Sequence, residues 1–430
     1  MKKIKPVKRL FGAITLPGDK SISHRAVMIG AIASGETKAK GVLDCDDCNY
    51  TIKAFRKMGV SINKRGDCTV IEGKGLNGLK RPGVPIDVGN SGTSMRLLAG
   101  ILSGQNFEVT IKGDSSLSKR PMERIVKPLS LMGVDIKSGA GGYPPIRIRG
   151  GKVMPIDYKL PVPSAQVKSA VLFAGLYGHG VTTVEEAFKS RDHTERMLKY
   201  FGANLKVKGL KVLVEGKKAL KPRTLEIPGD ISSASFFLAA AILLKGSKVR
   251  INKVGINPTR AGILNLLVRM GARVKILNKK NGFEPVGDIS AEYGKTKGLV
   301  IEKDDIPGII DELPIIFVLA SLSEGQTIIK GAEELRVKET DRIESMKENL
   351  VKMGGRIYVN DDEIIIQGVK RLSGASLESF GDHRTCMAMT VAALAAEDES
   401  VMDEIECVNK SFPGFFRTLE RLKRLGGDGC

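Results

Sequence analysis

The feature that most restricts the fold of this sequence is that it repeats itself six times. A segment with helical apolar spacing ends in Met, Phe or Leu, then glycine, then a short strand-like run, in FRKMGVSI, LSLMGVDI, LKYFGANL, LVRMGARV, VKMGGRIYV and LKRLGGDGC. The first glycines of these segments, Gly59, Gly133, Gly202, Gly271, Gly354 and Gly426, are 74, 69, 69, 83 and 72 residues apart. A glycine is expected there because a helix C-terminus commonly needs a left-handed residue just past its last turn. Each repeat also holds a second helix, in RAVMIGAIASGETKAKGV, MRLLAGILSGQNFEVTI, SAVLFAGLYGHGVTTV, SFFLAAAILLKGSKVRI, PIIFVLASLSEGQTII and CMAMTVAALAAEDESVM. Almost every face of these helices is apolar, so they are predicted to be buried. One amphipathic helix, one buried helix and the strands between them make an α/β subdomain of about 70 residues, too small to be stable alone. Six such units must pack together, and two groups of three, with one cleft, is the simplest arrangement for 430 residues.

Composition narrows the function classes. An apolar content of 42% supports a sizeable core. The first 30 residues spread charge through what would have to be an apolar leader, and no later run reaches membrane-spanning length, so the reading is cytoplasmic with no membrane partner. Six cysteines, at 45, 48, 68, 386, 407 and 430, are too sparse for a disulfide framework and fit a reducing compartment. Cys45 and Cys48 form a CxxC, but His24, His179, His193 and His383 are scattered, so no metal site is expected. A formal net charge of +20 predicts attraction of anions. Nucleic acid is disfavoured, because Lys and Arg spread along the whole chain, Trp is absent and aromatics make up 5%.

The starts of the buried helices hold most of the unusual residues: Gly18-Asp19-Lys20-Ser21-Ile22-Ser23-His24-Arg25, Gly89-Asn90-Ser91-Gly92-Thr93-Ser94, Pro163-Ser164-Ala165-Gln166-Val167-Lys168, Gly229-Asp230-Ile231-Ser232-Ser233, Asp311-Glu312-Leu313-Pro314 and Gly381-Asp382-His383-Arg384-Thr385. Singly, each reads as an ordinary N-cap. Together they suggest anion sites, since a helix N-terminus presents free amides and about half a positive charge. Lys20, Arg25, Lys168 and Arg384 stand where a cation is mildly unfavourable for the helix, which a bound phosphate or carboxylate would offset; the same holds for Lys119-Arg120 before Pro121. Lys338 and Arg342 are four apart and are predicted to share a helix face, with either an anion or Glu339 and Asp341 relieving their repulsion. No GxxxxGK[ST] loop occurs, and no GxGxxG opens a helix after a strand, which argues against nucleoside triphosphates and dinucleotides.

At this point LPGDKSISHRA, GNSGTSMRLL, KRPMER, PSAQVKSA, SRDHTERM, RVKETDRI, GDHRTCMAM and NKSFPGFF resemble, in order and across the whole chain, the signature segments of the 5-enolpyruvylshikimate-3-phosphate synthase family. The resemblance implies an α/β fold of two similar domains, each of three βαβαββ subdomains with buried parallel helices, an inside-out α/β barrel. It implies residues 1–18 plus 228–430 as one domain and 19–227 as the other, with the active site in the interdomain cleft and the crossings acting as hinges. The implied reaction joins phosphoenolpyruvate to the 5-hydroxyl of shikimate-3-phosphate and releases phosphate, without metal or organic cofactor. Matching positions put Lys20, Gly92, Arg120, Gln166, Arg342, Arg384 and Lys410 around phosphoenolpyruvate, and Lys20, Ser21, Arg25, Ser164, Ala165, Gln166, Asp311 and Lys338 around shikimate-3-phosphate. Asp311 is the expected proton acceptor and Glu339 with Lys20 the donor pair; the plain alternative for Glu339 is an ion-pair partner of Lys338 or Arg342. The expected partners are these small-molecule substrates, with no nucleic acid, and the expected state is a monomer.

Leu97 after Arg96, Ala165 after Ser164, and Arg191 depart from the commonest form of the family, while the small Gly92 leaves room for glyphosate to compete with phosphoenolpyruvate. Enolpyruvyl transfer to another acceptor, such as UDP-N-acetylglucosamine, would need other residues at Ser164, Lys168 and Arg191. An RNA 3'-phosphate cyclase-like protein would bind RNA with steep salt dependence. A structural repeat protein would leave the cationic helix entrances unexplained.

Overall fold

The computed structural model describes residues 1–360 and 363–427; the last three residues of the sixth repeat segment, Cys430 among them, lie outside the described residues. The chain forms two compact units, Gly18–Ile227 and Met1–Pro17 with Pro228–Cys430. Each repeat contributes a buried helix: α1 (Lys20–Ile32), α2 (Gly92–Leu102) and α3 (Ala165–Gly175) in the first unit, α4 (Ile231–Leu243), α5 (Leu313–Ser321) and α6 (His383–Leu394) in the second. In α4 every residue from Ile231 to Ile242 is buried, which follows from a sequence apolar on all faces.

In the unit Gly18–Ile227 three four-stranded sheets share one design: an edge strand runs parallel to its neighbour, and the next two strands are antiparallel. Ile86–Asp87, Glu108–Lys112, Ile146–Arg149 and Asp135–Ser138 make one such sheet, with α2 as the crossover that a parallel pair requires. Asp157–Lys159, Val181–Glu185, Lys211–Glu215 and Leu205–Lys208 make another, with α3 as its crossover. In the third, Ser34–Lys40, Cys68–Lys74 and Ser61–Arg65 receive their parallel edge strand, Thr224–Glu226, from the far end of the unit.

The second unit repeats the design. Phe11–Thr15 is the parallel edge strand beside Lys248–Gly255, and Val300–Ile301 is that beside Gln326–Lys330. Its last sheet, Ser376–Leu377, Ser400–Met402 and Lys2–Ile4, has three strands among the described residues, the antiparallel one coming from the start of the chain. Two edge strands are thus exchanged. The strand that precedes α1 in the chain pairs in the unit of α4, and the strand that precedes α4 pairs in the unit of α1. The chain therefore passes between units at Pro17–Gly18 and again at Ile227–Pro228.

The amphipathic helices end as the repeat predicts, with Gly59, Gly133, Gly202, Gly271 and Gly354 at φ between 80° and 90°. The sixth differs: after the helix Phe415–Leu425, Gly426 has φ −77° and Gly427, at φ 92°, takes the left-handed position. A Cβ at Gly426 would stand 2.6 Å from the Arg9 carbonyl, so this first glycine is required by close approach and the second by backbone handedness. Among the described residues no helix is long and apolar enough to cross a membrane.

Candidate functional site

Five of the six buried helices are closed by a side-chain N-cap: Asp19 accepts from the Ile22 amide, Ser91 from Ser94, Ser164 from Val167, Asp230 from Ser232, and Asp382 from Arg384 and Thr385. Glu312 occupies that position on α5 without capping it, because its carboxylate is turned to Arg260 and Ser232. The caps fix the first turns, which carry Lys20, Ser21, Gly92, Ala165, Gln166 and Arg384 of the residues expected at the site.

In the unit Gly18–Ile227 the entrances of α2 and α3 are tied together. Gln166 donates from Nε2 to Thr93 Oγ1 at 3.0 Å and accepts from Arg96 at 2.7 Å. Arg120 donates to the Asn90 side chain at 2.6 Å and to Ser116 at 3.2 Å, so Asn90 and Ser116 aim its guanidinium beside Gly92. A Cβ on Gly92 would meet Arg96 Nη1 at 2.8 Å, so glycine leaves room for that guanidinium at the helix start, while Arg120 Nη1, at 3.5 Å, would be in ordinary contact. On α1, Lys20 pairs with Asp47 at 3.0 Å, and buried Arg25 donates to Thr194, Ser169 and the Ser21 carbonyl at 2.6, 3.0 and 3.0 Å. Ser169 in turn donates to the Ala165 carbonyl at 2.5 Å. Lys20, Ser21, Arg25, Gly92, Arg120, Ser164, Ala165 and Gln166 therefore lie on one set of linked helix entrances.

His24, one residue before Arg25, is fully buried and bonded to Thr51 at 2.7 Å. Burial, reinforced by the positive charges of Lys20 and Arg25, holds its pKa well below the usual histidine value, so it stands neutral.

In the other unit Arg342 is the centre. It is 1% exposed, and its guanidinium meets Asp382 at 2.8 Å, Glu339 at 2.5 Å and Asp311 at 3.7 Å. Burial opposes its charge, but the carboxylates of Asp382, Glu339 and Asp311 outweigh that and raise its pKa above the ordinary arginine value. Arg384 joins the same group, reaching the Asp311 carbonyl at 2.7 Å and its carboxylate at 3.4 Å. Lys410 donates to the Gly381 carbonyl at 2.8 Å, just before the cap of α6. Lys338 pairs with Glu334 at 3.5 Å; burial first, and Arg342 in addition, lower its pKa, against the opposing pull of Glu334, Asp311 and Glu339.

Two expectations need correction. Lys338 and Arg342 do not share a helix face: Lys338 ends the 3-10 turn Glu333–Val337, and Arg342 begins the helix Arg342–Lys352 after a break capped by Asp341. Glu339, as expected, pairs with Arg342 and also acts on Lys338, whose direct partner is Glu334, whereas Asp341 pairs with Arg336; Asp311 and Asp382 complete the set around Arg342. Lys168 needs no external anion either, since it is buried between Glu186 at 2.7 Å and Glu195 at 2.6 Å. Both misreadings have one origin, because charge positions along a sequence do not reveal which carboxylates return to them in space. Among the partners that sequence reasoning did not single out, Arg96, Ser169 and Thr194 sit in the motif strings, whereas Asp47, Glu186 and Glu334 lie outside them and carry no sequence signal.

Across residues 4–419 the chain matches the family model of EPSP synthase (3-phosphoshikimate 1-carboxyvinyltransferase). The chain belongs to the EPSP synthase family. It is 47% identical over 426 residues to the 3-phosphoshikimate 1-carboxyvinyltransferase of Brevibacillus brevis, covering 99% of this chain and 100% of that protein. The enzyme of the same name from Desulforamulus reducens is 49% identical over 422 residues, covering 97% and 98%. Among solved structures, EPSP synthase from Acinetobacter baumannii superposes with a TM-score of 0.87 at 44% identity, covering 98% of this chain and 97% of that one. The enolpyruvyl transferase NikO from Streptomyces tendae, at 20% identity and a TM-score of 0.80 over 98% and 96% of the two chains, shares the fold. The α/β fold of repeated subdomains expected from the family resemblance is thus the fold of this chain.

Proposed function

We propose that this protein transfers the enolpyruvyl group of phosphoenolpyruvate to the 5-hydroxyl of shikimate-3-phosphate and releases inorganic phosphate. The observation that carries the reading is the coincidence of a chain-long EPSP synthase match with capped helix starts bearing Lys20, Arg25, Arg342 and Arg384, and with Arg120 held beside Gly92. Such an arrangement suits two small anionic substrates, because amides at a helix start and guanidinium forks both bind phosphate and carboxylate oxygens.

In this reading Lys20, Gly92, Arg120, Gln166, Arg342, Arg384 and Lys410 serve phosphoenolpyruvate. Lys20, Ser21, Arg25, Ser164, Ala165, Gln166, Asp311 and Lys338 serve shikimate-3-phosphate. Asp311 accepts the hydroxyl proton, and its ion pairs to two arginines keep its oxygens oriented. Glu339 with Lys20 protonates the methylene carbon as the acceptor oxygen bonds to the adjacent carbon, and a proton leaves the resulting methyl group as the bond to phosphate breaks, restoring the enolpyruvyl double bond. Glu339 is the ion-pair partner of Arg342, so it must take up a proton before it can donate one. The cations hold the phosphate group until it leaves. The protein acts as a monomer in the cytoplasm on diffusible substrates.

Phosphate release from phosphoenolpyruvate, followed with and without shikimate-3-phosphate, tests the reading. Release is expected only when both are present. A rate indifferent to the second substrate would defeat the assignment.

A further inference from the structure

Lys168 is among the largest fully buried side chains of the molecule, and nothing in the proposed reaction uses it. Its ammonium is 2.7 Å from Glu186, just past the strand Val181–Glu185, 2.6 Å from Glu195, in the first turn of the helix His193–Tyr200, and 3.4 Å from the Ser190 carbonyl between them. Glu186 also accepts from the Ser190 hydroxyl and amide. A single α3 side chain thus holds both ends and the middle of the segment 186–195. Burial raises the pKa of Glu195 against the opposing pull of Lys168, so the charge balance of this clasp is costly. A buried ion cluster is weak evidence of stabilisation, since apolar residues of similar volume commonly replace one without loss. Something other than net stability has to account for it.

The neighbouring residues supply that account. Ser169 follows Lys168 on α3, and Thr194 precedes Glu195 on its helix; their hydroxyls bond to each other at 2.7 Å. Into this hydroxyl pair comes Arg25 from α1, donating to Thr194 from Nε at 2.6 Å and to Ser169 from Nη2 at 3.0 Å. The ion cluster fixes two helices, and the hydroxyls between them fix the plane of the guanidinium. We infer that Thr194 and Ser169 are positioning residues for binding of the acceptor anion: they set the orientation of Arg25, and the Lys168–Glu186–Glu195 clasp holds the helix that carries Thr194. This rests on the reading of Arg25 as a shikimate-3-phosphate ligand, and it assigns a specificity role to residues outside the proposed ligand set.

The test is steady-state kinetics on the full chain, with both KM values measured for Thr194→Val, Thr194→Ser, Ser169→Ala, Arg25→Gln and the double variant Arg25→Gln/Thr194→Val. Losing a hydrogen bond to a charged group predicts a rise of about 10-fold in the KM for shikimate-3-phosphate in Thr194→Val. The KM for phosphoenolpyruvate and kcat are expected to stay within about twofold, Thr194→Ser to restore the acceptor KM, and Thr194→Val to add nothing once Arg25 is replaced. The variant Lys168→Met with Glu186→Gln and Glu195→Gln, which removes the buried charges together, is expected to show the same split. If Arg25→Gln raises the acceptor KM while Thr194→Val leaves it unchanged, the positioning role is wrong and the proposed function stands. Equal rises in both KM values together with a lower Tm would reduce Thr194 to a structural residue. If Arg25→Gln itself leaves acceptor binding unmoved, both the ligand role of Arg25 and this inference fall.

Discussion

Arg342 keeps its charge in the absence of bulk water because three carboxylates take the place of solvent. Replacing it by Met would leave Asp382, which is fully buried, without a counter-charge, and breaking a buried pair from one side costs about 3–5 kcal/mol. Arg342→Met is therefore expected to lower the unfolding free energy by that amount, as a lower denaturant midpoint at unchanged m, whereas a change within about 0.5 kcal/mol would show that the cluster is not coupled. His24 makes a second residue-scale prediction, this time in pH. Its folded pKa is depressed, mainly by burial, so below the unfolded value of 6.5 the unfolded chain binds a proton that the folded chain does not. Stability then rises with pH up to about 6.5 and falls on acidification, by about 1.4 kcal/mol per pH unit for one proton. Comparing denaturant midpoints at pH 7 and pH 5, His24→Gln is expected to lose less stability than the parent; equal losses would remove His24 as a source of acid sensitivity. At this scale the sequence was only partly legible. Lys20, Arg25, Arg120 and Arg384 could be picked out because a cation at a helix start is locally unfavourable, and Arg342 only through its spacing from Lys338. Which carboxylate answers each of them depends on tertiary contacts, such as Asp382 returning to Arg342 from 40 positions away, and no local pattern encodes that.

The elements were the most legible level, because their signals are local: helical spacing, a cap before, a glycine after. Gly271 illustrates how little else is involved. Its φ is 85° and a Cβ there would meet nothing within 4 Å, so the only obstacle to a side chain is the left-handed backbone. Gly271→Ala is therefore expected to cost about 1–2 kcal/mol through backbone strain alone, and Gly271→Asn less, since Asn tolerates that conformation. Thermal melts of the two variants check this, and an Ala variant as stable as the parent would mean that the turn relaxes freely. The sixth repeat could not be read in the same way. Two consecutive glycines stood at the end of Phe415–Leu425, and the choice between them was made by the Arg9 carbonyl, a contact more than 400 positions away in sequence.

For the whole molecule, the sixfold repeat announced its subdomains, but the exchange of edge strands has no local signature. Thr224–Glu226 reads as the strand that should lead into α4, yet it completes the first sheet of the other unit by pairing with Ser34–Lys40. That closure makes Gly18–Ile227 self-sufficient: every strand in its three sheets belongs to it, and its 210 residues (227 − 17) are in the range that buries a stable core. Residues 18–227 expressed alone are expected to unfold cooperatively, with coincident near- and far-UV circular dichroism transitions. A shorter piece, 18–219, loses Leu220, Leu225 and Ile227 from the core and the bonds from Ser34 to Leu220, Lys38 to Arg223 and Ile227 to Lys40. With about 1.5–3 kcal/mol for each large apolar side chain withdrawn from burial, the shorter piece is expected to be less stable by at least about 3 kcal/mol. If both pieces melt alike, the returning strand is not what closes the unit. If neither shows a cooperative transition, the unit depends on the rest of the chain for its fold.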